Sequence, residues 1–182
     1  GDVNGDGFDD LIVGGAFNDD GGYNAGVAYV VFGTAFGANG TPITLSGGVG
    51  AEMFIGSFGN DTLSGGGGAD VIRGGAGNDL LTIGDMTFKR IDGGAGQDTL
   101  ALSGSGQTLD LTATALAAVT GIELIDITGT GNNFLVLDAD DIFDLSDVPN
   151  AVFTAADSHN SLVVEGNLGD TLTLELGGAN AG

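Results

Sequence analysis

The chain has 182 residues, of which 25 are acidic and three basic, for a formal net charge of −22. That balance excludes nucleic acid and anionic membrane surfaces as natural partners, since both are bound through Lys and Arg, and no apolar run long enough to insert in a membrane is present. Cysteine is absent, which excludes disulfides and thiolate metal sites; 37 glycines with only two prolines and no three-residue period exclude collagen, and a hydrophobic share of 42% excludes an acidic disordered chain.

Residues 1–33 read as loop, strand, turn, strand: DVNGDGFDD, LIVGGAF, NDDGGYNAG and VAYVVFG. Oxygen-bearing side chains at alternating positions, with a glycine after the third, describe a Ca2+ loop. An EF-hand does not fit. Counted from Asp2, position twelve is Val13 rather than Glu, and LIVGG is a strand pattern where a helix belongs. The run resembles an FG-GAP repeat of integrin α-type β-propellers. Phe32-Gly33 matches the Phe-Gly of that family, whereas Gly15-Ala16-Phe17 departs from its Gly-Ala-Pro. The resemblance implies that Asp2, Asn4, Asp6 and Asp10 supply side chains to a cation and Phe8 its carbonyl. A lone hairpin carrying Leu11, Ile12, Val13, Tyr29 and Val30 is too apolar and too open-edged to stand by itself. It is expected to pack on neighbouring repeats of a longer parent or on another copy of the chain. Residues 34–46 read as a linker.

From Gly47 the chain repeats with a period of nine: GGVGAEMFI, GSFGNDTLS, GGGGADVIR, GGAGNDLLT. Ten poorly matching residues, Ile83 to Asp92, interrupt the phase before GGAGQDTLA resumes at Gly93. The sixth position is Glu52, Asp61, Asp70, Asp79 and Asp98, and the eighth, Phe54, Leu63, Ile72, Leu81 and Leu100, is always apolar. Glycines permit the tight turns that aim carbonyl oxygens at a cation, and the acid adds the hard oxygen that Ca2+ prefers. The last three residues extend as a short strand with the eighth side chain inward. Two units make a turn, so Asp61 should stack on Asp79 and Glu52 on Asp70, about 4.8 Å apart. Asp98, beyond the interruption, falls out of phase with no evident partner and is expected to matter less than Asp70.

These units resemble the RTX, or haemolysin-type calcium-binding, repeat over about residues 47–101. The resemblance implies side-chain ligation by Asp61, Asp70 and Asp79, with Glu52 and Asp98 as further candidates. It also implies help from the backbone carbonyls of Gly65, Gly67, Gly74 and Ala76. Secretion through a type I system, with folding outside the calcium-poor cytosol, is implied as well.

After Gly104, strands are expected at Ile122–Ile127, Asn133–Leu137, Ser161–Glu165 and Thr171–Leu176, the last half-buried, with short helical turns at Thr114–Val119 and Ala139–Leu145. The acids Asp138, Asp140, Asp141, Asp144 and Asp147 read as a solvated face more readily than as a further Ca2+ site. Asp110 and Asp126 carry no motif. His159, the only histidine, has no separated partners for a triad.

The expected fold is all-β: a Ca2+-stabilised parallel β-roll or solenoid over residues 47–110. An FG-GAP hairpin and linker at 1–46 precede it, and a β-rich segment at 111–182 completes the chain. The expected function is a non-catalytic, calcium-binding structural or adhesive module, extracellular or at the cell surface. An accessory domain of a secreted hydrolase and a self-assembling surface-layer or filament subunit are the alternatives.

Overall fold

Three residues at the end of each nonapeptide can extend only briefly before glycines turn the chain, so each strand must find its partner in another coil. The computed structural model, which describes residues 3, 10–15, 27–31, 40–112, 118–138, 141, 145 and 162–175, has this architecture. Strands β1 (Leu11–Gly15) and β2 (Val27–Val31) form an antiparallel hairpin with Leu11 opposite Val31. Every other described pairing is parallel.

One face of the solenoid is a six-stranded sheet of β3 (Thr44–Ser46), β5 (Thr62–Gly66), β7 (Leu80–Ile83), β9 (Thr99–Leu102), β12 (Leu124–Asp126) and β14 (Val163–Glu165). The opposite face has four strands, β4 (Met53–Ile55), β6 (Val71–Ala76), β8 (Arg90–Ala95) and β11 (Val119–Thr120). From residue 108 a third sheet opens, built of β10 (Thr108–Asp110), β13 (Phe134–Asp138) and β15 (Thr171–Glu175). The nonapeptide coils therefore have two strands per turn and the later ones a third. The six-stranded sheet runs without a break through residue 110, and its first strand, β3, lies within the stretch read as linker.

The core is a file of eighth-position side chains. Leu63, Leu81 and Leu100 stack in register on one sheet and Phe54 and Ile72 on the other, all buried. Ile91 and Ile125 continue the two files in coils that lack the nonapeptide pattern, and Leu109 and Leu135 pair in the third sheet, all buried. The all-β, parallel-roll expectation holds.

The interruption of phase is smaller than it reads. Val71 pairs with Arg90 and Ile72 with Ile91, so the ten residues Ile83 to Asp92 form one unit of degenerate sequence, and its one extra residue is taken up between Ile83, which pairs with Gly66, and Arg90. Ile83 is buried against Leu102 in the interior. Asp98 is consequently in register with Asp79, which corrects the expectation that it falls out of phase.

Other differences lie toward the C-terminus. Leu172 and Leu174 on β15 are about half exposed, because β15 is the outermost strand of its sheet and no described strand lies beyond it. The expected helical turns fall mostly outside the described residues, as does His159. Asp138 and Asp141 exchange backbone-to-carboxylate hydrogen bonds, 2.6 Å from Asp138 N to Asp141 Oδ2 and 3.0 Å from Asp141 N to Asp138 Oδ1. That reciprocal pair is a helix-start capping box, and it gives two acids of that cluster a structural task. Among the described residues no helix is long and apolar enough to cross a membrane.

Candidate calcium sites along the roll

The sixth-position acids form two ladders, one along each edge of the roll. On the first, Asp61 Oδ1 accepts a hydrogen bond from Ile43 N (2.8 Å), Asp79 Oδ1 from Asp61 N (2.7 Å) and Asp98 Oδ1 from Asp79 N (2.8 Å). The same step continues to Glu123, whose Oε2 accepts from Asp98 N at 2.8 Å. On the second edge Asp70 Oδ1 accepts from Glu52 N at 2.9 Å. One carboxylate oxygen of Asp61, Asp70, Asp79 and Asp98 thus ties adjacent coils together, while the other is turned toward the first glycine of its own unit.

What meets that second oxygen decides the chemistry. A Cβ placed on Gly47 would lie 2.6 Å from Glu52 Oε2 and 2.5 Å from the Gly65 carbonyl oxygen. Gly56 stands in the same way between Asp61 Oδ2 and the Gly74 carbonyl, Gly74 between Asp79 Oδ2 and the Gly93 carbonyl, and Gly93 between Asp98 Oδ2 and the Gly121 carbonyl. Only glycine leaves room there, and what converges on the space is a carboxylate and a carbonyl. Both are acceptors. Glu52 Oε2 and Asp79 Oδ2 are buried without any hydrogen-bond donor, an arrangement that folded proteins avoid unless an ion or water completes it.

An oxygen-only donor set with carboxylate charge fits Ca2+. The Gly65 and Gly74 carbonyls flank the same spaces as Glu52 Oε2 and Asp61 Oδ2, and Gly93 and Gly121 repeat the pattern one coil on. Among the described residues no three His, Cys, Asp or Glu side chains gather at a point, because most of the oxygens in this pattern come from backbone. Bound Ca2+ would supply the positive charge that holds stacked carboxylates together. Without it, burial pushes the Asp79 carboxyl up to about 6, with Asp61 adding repulsion. Burial likewise raises Glu52 and Asp70, helped by the Asp70 charge in the first case and by Asp85 in the second.

The rungs are not equivalent. Ser57, where most units have a second glycine, donates to Asp61 through both its N (2.5 Å, Oδ2) and its Oγ (2.9 Å, Oδ1), so Asp61 is partly satisfied by protein. Gly67 and Gly68 face Asp85, whose Oδ2 accepts from Gly68 N at 3.2 Å and whose Oδ1 accepts from Thr87 N and Oγ1. Those Thr87 hydrogen bonds hold Asp85 below the usual carboxylate range. Ala76 pairs with Ala95 and donates its N–H to the Ser57 carbonyl. The second ladder stops at Lys89, which stands where the next acid would be, its N donating to the Asp70 carbonyl at 2.7 Å.

Sequence reasoning missed Glu123, Lys89 and Asp85. Glu123-Leu124-Ile125 does repeat the acid, spacer, apolar order of a unit, but no glycine pair precedes it. Asp85 belongs to an Asp-x-Thr turn that recurs at Asp110–Thr112 and Asp126–Thr128, where each Asp Oδ1 accepts from the Thr N. Of the expected N-terminal ligands, Asp2, Asn4, Asp6 and Phe8 lie outside the described residues; Asp10 is buried and its Oδ2 accepts from Val3 N at 2.5 Å.

Parallel coils, glycine turns and acid ladders define a calcium-binding β-roll. In keeping with this, residues 46–81 and 90–104 match the family model of the RTX calcium-binding nonapeptide repeat, in four copies. The unmatched gap, 82–89, is the stretch that holds the extra residue. Repeats of this kind bind Ca2+, several ions along the array. Neither the curated proteins nor the solved structures contain a match to the chain.

Proposed function

We propose that the chain is a non-catalytic structural module of a secreted or cell-surface protein, ordered by Ca2+ outside the cell. The observation that carries this reading is the buried Asp79 Oδ2, aimed with a carbonyl at a space no donor fills. Glu52, Asp61, Asp70, Asp79 and Asp98 are its side-chain ligands, with carbonyls of Gly65, Gly67, Gly74 and Ala76. The FG-GAP reading of residues 1–33 gives a second Ca2+ loop at Asp2, Asn4, Asp6, Phe8 and Asp10. The hairpin sheds part of its exposure on the roll: Tyr29 and Val30 line a cleft with Gly47, Glu52 and Phe54. Leu11, Ile12 and Val13 stay exposed, which supports further packing on a longer parent or on a second copy.

The test is a Ca2+ titration of the chelator-treated chain by circular dichroism and calorimetry. β signal should appear cooperatively with several ions bound, and Mg2+ should do far less, because it demands octahedral geometry and sheds water reluctantly. A spectrum unchanged by Ca2+ would sink the reading.

A further inference from the structure

The later coils use the same ladder with a different side chain. Asn133 is fully buried, and its Oδ1 accepts from Gln107 N at 3.0 Å, the role that Asp79 Oδ1 plays toward Asp61 N. A backbone N–H can only face the amide oxygen, so the amide nitrogen must take the place of the second carboxylate oxygen. That nitrogen donates to two carbonyls, Ile127 O at 3.1 Å and Gly104 O at 3.3 Å, beside Gly129. Asn and Asp have the same shape. The exchange of one oxygen for NH2 turns acceptors that need a cation into a donor–acceptor set that needs none.

Amide donors recur beside it. Gln107 Nε2 donates to the Gly84 carbonyl while its Oε1 is buried without a partner, Asn167 Nδ2 donates to Thr128 O at 2.7 Å, and both oxygens of Asp170 accept backbone N–H groups, from Asn133 and Asn167. We infer that side-chain amides stand in for Ca2+ in the coils of β10, β13 and β15, so that these coils are held together without metal. The roll is therefore divided into a metal-dependent stretch at 47–101 and a metal-independent one around Asn133. The division rests on the calcium reading of the first stretch, whereas the amide contacts do not.

Hydrogen exchange of the full chain in chelator and in Ca2+ tests both halves separately. Amides of residues 107–111, 133–138 and 170–175 should stay protected in chelator while those of 47–101 exchange freely and become protected in Ca2+. Loss of protection in both stretches on chelation would overturn the amide assignment and leave the calcium reading intact. Protection of both in chelator would sink the calcium reading and leave the amide assignment standing. Asn133→Asp should then make the second stretch behave like the first: about tenfold or more faster exchange in chelator, recovered in Ca2+. Unchanged exchange of Asn133→Asp in chelator would count against the assignment. Should that variant fail to fold in either condition, the wild-type comparison still decides.

Discussion

Asp79 carries the most information at the scale of single residues. Its carboxyl in the metal-free fold sits at about 6 against an ordinary 3.8, because burial penalises the charge. The folded state therefore holds its proton more tightly than the unfolded chain does. The Asp79 contribution to the stability of the metal-free fold is fully present below about pH 4, and it is lost as pH rises through about 6. Calcium requires the ionised form, so its apparent affinity should weaken as pH falls through about 6, by up to about tenfold per pH unit for one coupled proton. Calorimetry in buffers of different ionisation enthalpy should detect that proton release, and Asp79→Asn should remove it. Asp98 supplies a second residue-scale expectation. In register with Asp79 and followed by Glu123 on the longer ladder, it should be at least as important as Asp70, whose ladder ends at Lys89. Asp98→Ala should thus reduce calcium affinity by as much as Asp70→Ala or more, measured by titration.

Among the elements, the turns are as specified as the strands. Gly75 has φ +111, and a Cβ there would collide with the Ser57 carbonyl of the coil below; Gly94 repeats the conformation at φ +99 against the Gly75 carbonyl. Gly48 holds the same second position in its unit, yet nothing lies within 4 Å of where its Cβ would be. Gly75→Ala should cost about 1–3 kcal/mol and shift the calcium midpoint upward. Gly48→Ala should leave the midpoint nearly unchanged. Both are read from the same dichroism titration, and equal behaviour would mean that coil contact does not set the glycine requirement. Position five adds a ladder of its own: Asn60 Oδ1 accepts from Asn78 N at 2.8 Å and Asn78 Oδ1 from Gln97 N at 3.0 Å. It binds coils through polar groups that already pair with each other.

For the whole molecule, charge is the governing quantity. All three cations lie at the degenerate unit and the strand beside it, where Arg73 and Arg90 both reach Asp92, at 4.0 and 3.1 Å. Every other charged side chain is acidic at neutral pH. Screening alone should not order such a chain, because converging carbonyls and carboxylates need an ion in place, whereas salt merely shortens the range of repulsion. About 0.5 M NaCl should therefore leave residues 47–101 expanded while millimolar Ca2+ compacts the chain, as read by small-angle scattering. Equal compaction by the two salts would show that screening suffices.

The nine-residue spacing by itself determined the roll, the inward file of Phe54, Leu63, Ile72, Leu81 and Leu100, and the stacking of Asp61 on Asp79 and Glu52 on Asp70. Those features are local: an interval of eighteen residues, glycine turns and an apolar eighth position leave one way to coil. The tertiary structure alone decided the arrangement of the coils beyond the interruption. The unit from Ile83 to Asp92 takes in one residue beyond the period, and the steps from Asp98 to Glu123 and from Asn133 to Asp170 span 25 and 37 residues. Once coil lengths vary, spacing along the chain no longer says which residues stack, and register is settled by which apolar side chains fill the core. For the same reason an isolated Asn in the sequence carried no signal, and only its two carbonyl partners give it the part that a calcium ion plays elsewhere in the roll.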